Sequence, residues 1–242
     1  MIFKSKTKIS SYNIRKTFFL KKFKLIDWFL LYTRIEPHTV YNMGHFIDFT
    51  KKNKSFDKVI SIGVDPFKEI LIYNECEVSS IDVYDIDEEI IRLGNNYFKS
   101  TNQKISYIHS NVLNDEIKSN YDTLFLFQMD YIFSDRELLI ILNKIKKTGV
   151  KNCYVVTPSI FNLNRGFIPY VFTDFFILTH LLIKNFFTKK SNLINSYTTY
   201  KRTKTHFIKL FKKSNYVLDS EKTIMNNNGS FNLFYFNSNP NL

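Results

Sequence analysis

Alanine is absent from the 242-residue chain, and tryptophan (1), cysteine (2), methionine (4), proline (5) and glycine (6) are all scarce. The missing alanine, beside heavy use of Lys, Asn, Ile and Phe, reads as compositional drift of the coding DNA, so a single Lys or Asn says little by itself. Two cysteines far apart in sequence, Cys76 and Cys153, give no disulfide framework and exclude a CxxC metal site. Each falls in or beside an apolar run, where a small thiol is simply buried. The five histidines show neither HExxH nor HxH spacing, so no metal centre is expected. No cleavable export signal is expected either, because the basic N-terminus meets Lys21, Lys22, Lys24 and Asp27 with no small-residue cleavage site. The most apolar stretch, residues 167–187, carries Asp174, His180 and Lys184. An Asp or Lys at a bilayer centre costs roughly 2.5–3.5 kcal/mol, so no transmembrane helix is expected. Reduced thiols without an export signal predict a cytoplasmic protein.

Acidic residues are missing from two stretches. Residues 4–24 hold eight basic residues and no acid, and residues 184–213 are again basic without an acid, whereas residues 57–137 are rich in Asp and Glu. Basic flanks around an acidic centre predict contact with something anionic, such as nucleic acid, phospholipid or a phosphorylated substrate, against the alternative of a solvated lysine-rich surface. With 44% hydrophobic and 23% charged residues, the chain has the means for a packed core, and its length suits one α/β domain with appendages.

What is present is a regular alternation. KVISIG (58–63) is a short apolar, β-branched run closed by a glycine, the pattern of a buried parallel strand. Asp65-Pro66 follows, an N-cap with proline at the first helical position, which predicts a helix over 66–74. VSSIDVY (78–84) is a second strand, and Asp87-Glu88-Glu89 opens a helix to about residue 98 with acids at its positive end. Strands follow at 105–109, 121–127 and 152–156, with an amphipathic helix at 135–147. A helix over 203–214 and strands at 216–224 and 231–236, separated by Asn226-Asn227-Asn228-Gly229, predict a closing antiparallel hairpin. The fold class is therefore α/β: a Rossmann-like, mostly parallel sheet with helices on both faces and a C-terminal hairpin. Four regions are predicted: a helical extension over 1–50, broken at Pro37 and resuming over 41–49; a cofactor-binding core over 51–158; an apolar and basic insertion over 159–202; and a terminal helix and hairpin over 203–242.

Ligands of such sheets bind beyond the carboxyl ends of the strands. Gly63, Asp85 and Asn111 sit at three such ends: a glycine that lets backbone approach a ligand, a carboxylate that can accept from ribose hydroxyls, and an amide for an adenine edge. Asp85 is favoured as functional because a carboxylate just before a capped helix has no obvious structural role, whereas Asp65, Asp87 and Asp122 read as caps or strand-start residues. Tyr131 and Phe133 read as pocket wall or core.

At these residues the sequence resembles the class I S-adenosylmethionine-dependent methyltransferases. DKVISIGVDPF is similar to the family's first motif, YDIDEEIIRLGNNYF to its second and SYIHSNVLND to its third. The stretch from YDTLFLF to YVVTPS is similar to its fourth strand, helix and fifth strand. The resemblance implies that Gly63 borders the methionine part of the cofactor and that Ser61, Val64 and Asp65 are among the cofactor-binding residues. By the same resemblance Asp85 holds the ribose, Ile86 packs on adenine, Asn111 and Val112 meet the adenine edge, and Gln128, Met129 and Asp130 lie near the transferred methyl. The first motif departs from the family pattern: Ser61 stands in the acidic place, Asp65 and Phe67 replace two later glycines, and Asn111 stands where aspartate is common. The acceptor expected is a small molecule, glycan or lipid-like compound. If it must lose a proton, the bases to consider are Asp130, His38, His45 and His206.

Two alternatives stand beside this reading. Asp85-Ile86-Asp87 is a DxD, which in a nucleotide-sugar glycosyltransferase would hold a metal and diphosphate. A catalytically inactive methyltransferase-like partner protein is the other. Nucleic-acid methylation is less favoured, since Gln128-Met129-Asp130-Tyr131 replaces the [ND]PP[YF] signature. Residues 159–200 read as a cover on the acceptor side; with aromatic 172–187 beside Lys184, Lys189, Lys190, Lys201 and Arg202 they suit contact with an anionic membrane or an amphiphilic substrate, against the alternative of an ordinary helix buried between the sheet and the N-terminal extension.

Overall fold

A computed structural model describes residues 11–21, 37–51, 56–118, 120–158, 202–226 and 229–238. The segment 159–201, read above as acceptor-side cover, lies outside the described residues, as do Trp28, Phe29 and Leu31 of the N-terminal extension.

The alternation is realised as α1 (Ser11–Lys21), α2 (Pro37–Thr50), β1 (Phe56–Ile62), α3 (Pro66–Glu75), β2 (Val78–Asp85), α4 (Glu88–Phe98), β3 (Ile105–His109), β4 (Thr123–Phe127), a 3-10 turn (Asp130–Ile132), α5 (Asp135–Lys147), β5 (Asn152–Pro158), α6 (Lys204–Lys213), β6 (Tyr216–Asn226) and β7 (Gly229–Ser238). The sheet runs β3-β2-β1-β4-β5-β7-β6. Its β1–β2, β1–β4 and β2–β3 pairs are parallel, and β6–β7 is antiparallel. The helix expected over 41–49 begins earlier, with Pro37 as the first residue of α2, where its missing N–H has no intrahelical partner to lose. No helix among the described residues is long and apolar enough to cross a membrane.

The chain divides into two compact units, Met1–Phe125 with Lys144–Cys153, and Leu126–Asn143 with Tyr154–Leu242. In the first unit, one sheet face carries Tyr107 and Phe125. Phe46 of α2 packs edge-on against Phe125 at 5.3 Å, and Tyr107 meets Phe19 of α1 and Phe98 of α4. Gly94 is where α4 crosses the Tyr107 ring: a Cβ there would lie 1.9 Å from a ring carbon. On α4, the Asn95 carboxamide donates to the Tyr107 carbonyl and accepts from its N–H, satisfying the backbone of edge strand β3. Asp122 accepts from the Lys58 N–H at 2.7 Å and from the Thr123 hydroxyl, the structural role expected of it. Both cysteines are buried thiols, Cys153 within β5 and Cys76 at the C-cap of α3.

In the second unit, Phe207 and Phe211 on one face of α6 stack on Phe234 and Phe236 of β7, with ring centroids 5.4 and 4.1 Å apart. Thr203 caps α6 by accepting from the His206 N–H.

Candidate functional site

The first unit presents three strand ends. Gly63 follows β1 with φ +80°, a left-handed conformation that glycine adopts without steric cost, and its N–H donates to the Tyr84 carbonyl at 2.9 Å. Val64 then points its N–H at Asp85 Oδ2, 2.9 Å away, while Asp85 Oδ1 accepts from the Asp87 N–H at 3.0 Å. Asp85 therefore has a structural role that the sequence did not reveal, since it ties the loop after β1 to the turn after β2. Each carboxylate oxygen has a second lone pair, and the side chain is only half-buried, so accepting from a ligand hydroxyl remains open to it. Beside it, Ile86 is 71% exposed, an apolar surface adjoining a carboxylate. Asp87 caps α4 through Ile90 N–H, and Asp65 caps α3 through Lys68 N–H, with Pro66 next in line. Both are the caps that the sequence predicted. Ser61 and Val64 are buried, and Ser61 Oγ has no partner.

The third strand end differs in detail. Asn111 Oδ1 accepts from the Leu113 N–H at 3.1 Å, and the Asn111 N–H donates to Asp115 Oδ2 at 2.7 Å. The acceptor half of that carboxamide closes its own turn, which leaves the NH2 for a ligand edge. Lys144 of α5 braces the same turn, donating to the carbonyls of Val112, Leu113 and Asp115 at 3.4, 2.6 and 3.0 Å. Val112 is buried.

Beneath the first loop lies a pair that no sequence signal marked. Lys68 and Glu69, adjacent charged residues in the first turn of α3, are only 2% and 1% exposed. Lys68 Nζ donates to the Gly63 carbonyl at 2.9 Å and lies 3.1 Å from Glu69 Oε1. Glu69 also accepts from the Asp65 N–H and from the Tyr107 hydroxyl. Burial pushes the Glu69 carboxyl up to about 7, against the opposing pull of the Lys68 ammonium. The loop after β1 is thus held from below by a buried ion pair.

The second unit gathers a polar cluster after β4. Gln128 takes φ 53°, donates its N–H to the Val156 carbonyl, and has a buried Nε2 without a partner. Left-handed backbone at a non-glycine residue is a strained conformation that concentrates at functional sites. Met129 is half-buried. Asp130 is 1% exposed; its Oδ2 accepts from the Thr157 hydroxyl at 2.6 Å, and its Oδ1 has no partner. Arg202 donates to the carbonyls of Asp130 and Phe133 and pairs with Asp135 Oδ1 at 2.7 Å. Read from sequence as a cation beside a membrane-facing surface, Arg202 is instead buried. Asp135 Oδ2 lies 2.6 Å from His206 Nε2, so that imidazole has a carboxylate partner. In the first unit, apart from this cluster, His45 is half-buried with an unpartnered Nδ1 and its ring edge-on to Tyr41. The His38 side chain lies outside the described residues.

Burial pushes Asp130 up to about 6, more than Thr157 and Arg202 pull it down. The folded state therefore keeps a proton that the unfolded chain releases from its ordinary value of 3.8. Stability falls as pH rises between those two values and stays lowered above them, by about 3 kcal/mol at 1.36 kcal/mol per unit. Asp130→Asn is expected to stabilise the protein by up to that amount at pH 7.5 and by almost nothing at pH 4, measured by urea unfolding. An equal difference at both pH values would contradict the assignment.

No protein-family model matches the sequence, and no curated protein matches it. Solved structures do match in fold. The N-methyltransferase NodS of Bradyrhizobium japonicum WM9 aligns over 84% of this chain and 97% of its own, at 10% identity and TM-score 0.57. Magnesium protoporphyrin IX methyltransferase of Synechocystis PCC 6803, solved with bound SAH, aligns over 93% and 98%, at 9% identity and TM-score 0.60. The mitomycin 7-O-methyltransferase MmcR aligns over 87% of this chain and 60% of its own, at 10% identity and TM-score 0.57. The chain has the class I S-adenosylmethionine-dependent methyltransferase fold, as its sequence motifs implied.

Proposed function

We propose that this protein transfers a methyl group from S-adenosylmethionine to a small-molecule acceptor. The observation that carries the reading is the tie between the two strand ends: a left-handed Gly63 loop held by Asp85, with Ile86 exposed next to it. These residues suit an adenosine group. The free lone pairs of Asp85 can accept from the ribose hydroxyls, and Ile86 offers an apolar face to the base. Lys144 keeps the turn carrying Asn111 and Val112 in place. The cofactor, when bound, supplies an electrophilic methyl group on a sulfonium. The acceptor must then be positioned and, where it carries a proton, relieved of it. The acceptors named for the structural neighbours, magnesium protoporphyrin IX and mitomycin, favour a small molecule.

The DxD reading gains nothing. Asp87 is the N-cap of α4, and among the described residues no three His, Cys, Asp or Glu side chains gather as metal ligands.

Calorimetric titration with S-adenosylhomocysteine tests the proposal. Wild type should bind, and Asp85→Ala should lose about 1.5–3 kcal/mol of affinity, the range for hydrogen bonds to a charged group. Asp87→Ala should lose about 1 kcal/mol of stability and little binding, as for a cap. A wild-type protein that does not bind would leave the inactive-partner reading in place.

A further inference from the structure

Asn42 lies on α2, outside every motif of the sequence, and is completely buried, yet neither Oδ1 nor Nδ2 has a hydrogen-bond partner. More than nine in ten buried polar atoms are partnered in folded proteins, so a wholly orphaned carboxamide is unusual.

Its place in the fold follows from its neighbours along one helix stripe. Thr50, two turns further on, touches Cys76 Sγ at 3.3 Å, and Lys51 pairs with Glu75, so the end of α2 lies beside the end of α3. α3 starts directly after the loop 63–65 and runs away from it, so the first half of α2 lies toward that loop. Phe46, one turn after Asn42, packs on Phe125, whose backbone is in register with Ser61 of β1. Asn42 is therefore a turn beyond the Ser61–Phe125 pair, toward the loop. Ser61 Oγ is itself buried without a partner.

We infer that Asn42 binds the amino-acid end of the cofactor, an inference that rests on the methyltransferase reading above. Two features choose this end. Asp85 and Ile86 close β2, whereas the second pair, Asn42 and Ser61, belongs with β1, which carries Ser61, and with β4, whose Phe125 packs on Phe46 one turn from Asn42; in the strand order these lie away from β3. Adenosine on the first pair leaves the amino-acid end for the second. A carboxamide also offers both donor and acceptor, which matches a zwitterion: Nδ2 gives to the carboxylate and Oδ1 takes from the ammonium.

The test compares S-adenosylhomocysteine with 5′-methylthioadenosine, which lacks the amino-acid end, by calorimetry on the full chain. Asn42→Leu should weaken S-adenosylhomocysteine at least about tenfold, the effect of one hydrogen bond to a charged group, and leave methylthioadenosine unchanged. Thermal unfolding of the free variant should rise, because two orphaned polar atoms are removed. Asn42→Ala reads the same ratio if leucine does not fold. Asp85→Ala should weaken both ligands alike. Equal weakening of both ligands by the Asn42 variants, or none, overturns this inference and spares the methyltransferase reading. Failure of wild type to bind either ligand overturns both.

Discussion

Gly63→Val is expected to abolish measurable S-adenosylhomocysteine binding. The position has φ +80°, where an L-residue is strained by about 1–2 kcal/mol and a β-branched one by more. The buried loop has no slack to absorb that strain, because both of its N–H groups are committed, Gly63 to the Tyr84 carbonyl and Val64 to Asp85. Flipping the peptide to relieve the valine would break these bonds and displace the Asp85 carboxylate from its tie. A loss of at least roughly a hundredfold, about 3 kcal/mol, follows from losing the carboxylate alignment together with the close backbone approach. Gly63→Ala should fall between the two. Calorimetry gives the affinity and urea unfolding the stability. A folded Gly63→Val protein that binds with wild-type affinity would move the cofactor away from this loop.

Arg202→Met should lower stability by about 3–5 kcal/mol, as expected when one member of a buried charged network is removed. The guanidinium holds two carbonyls, of Asp130 and Phe133, and the Asp135 carboxylate at once. Methionine fills the space but donates nothing, so the buried Asp130 carbonyl is left without that donor. Arg202→Lys should recover little, because a single ammonium cannot reproduce the planar fork. Removing the cation should also raise Asp130 further, since Arg202 is one of the influences holding it down. The pH-dependent loss of stability would then extend upward in pH. Urea midpoints for wild type, Met and Lys variants at several pH values check this, and a loss under about 1 kcal/mol would show that the network contributes little.

The methyltransferase alternation was legible because each element carried its own local signal. Apolar β-branched runs at 58–63, 78–84 and 105–109 became β1 to β3, and the caps Asp65 and Asp87 were written beside their helices. The start of α2 was placed too late, at Tyr41 instead of Pro37, because proline both ends helices and starts them, and the two cases differ only in where the chain turns. Lys68, Glu69 and Arg202 were hidden for another reason. A charged side chain is exposed unless a partner exists, and the partners here are Gly63, Tyr107, Asp130 and Asp135, up to 72 residues away.

The sequence by itself determined the order of elements, the closing hairpin, the helix starts capped by Asp65 and Asp87 and the position of Asp85 at a strand end, since these depend on periodicity and on contacts within a few residues. Only the tertiary structure decided what those groups do. It made Asp85 a tie between two loops, turned Asn111 Oδ1 into its own turn, buried Arg202 against carbonyls, and left Asn42 and Asp130 Oδ1 without partners. Burial and long-range hydrogen bonding, which no local pattern encodes, set both the strength and the proton affinity of such groups.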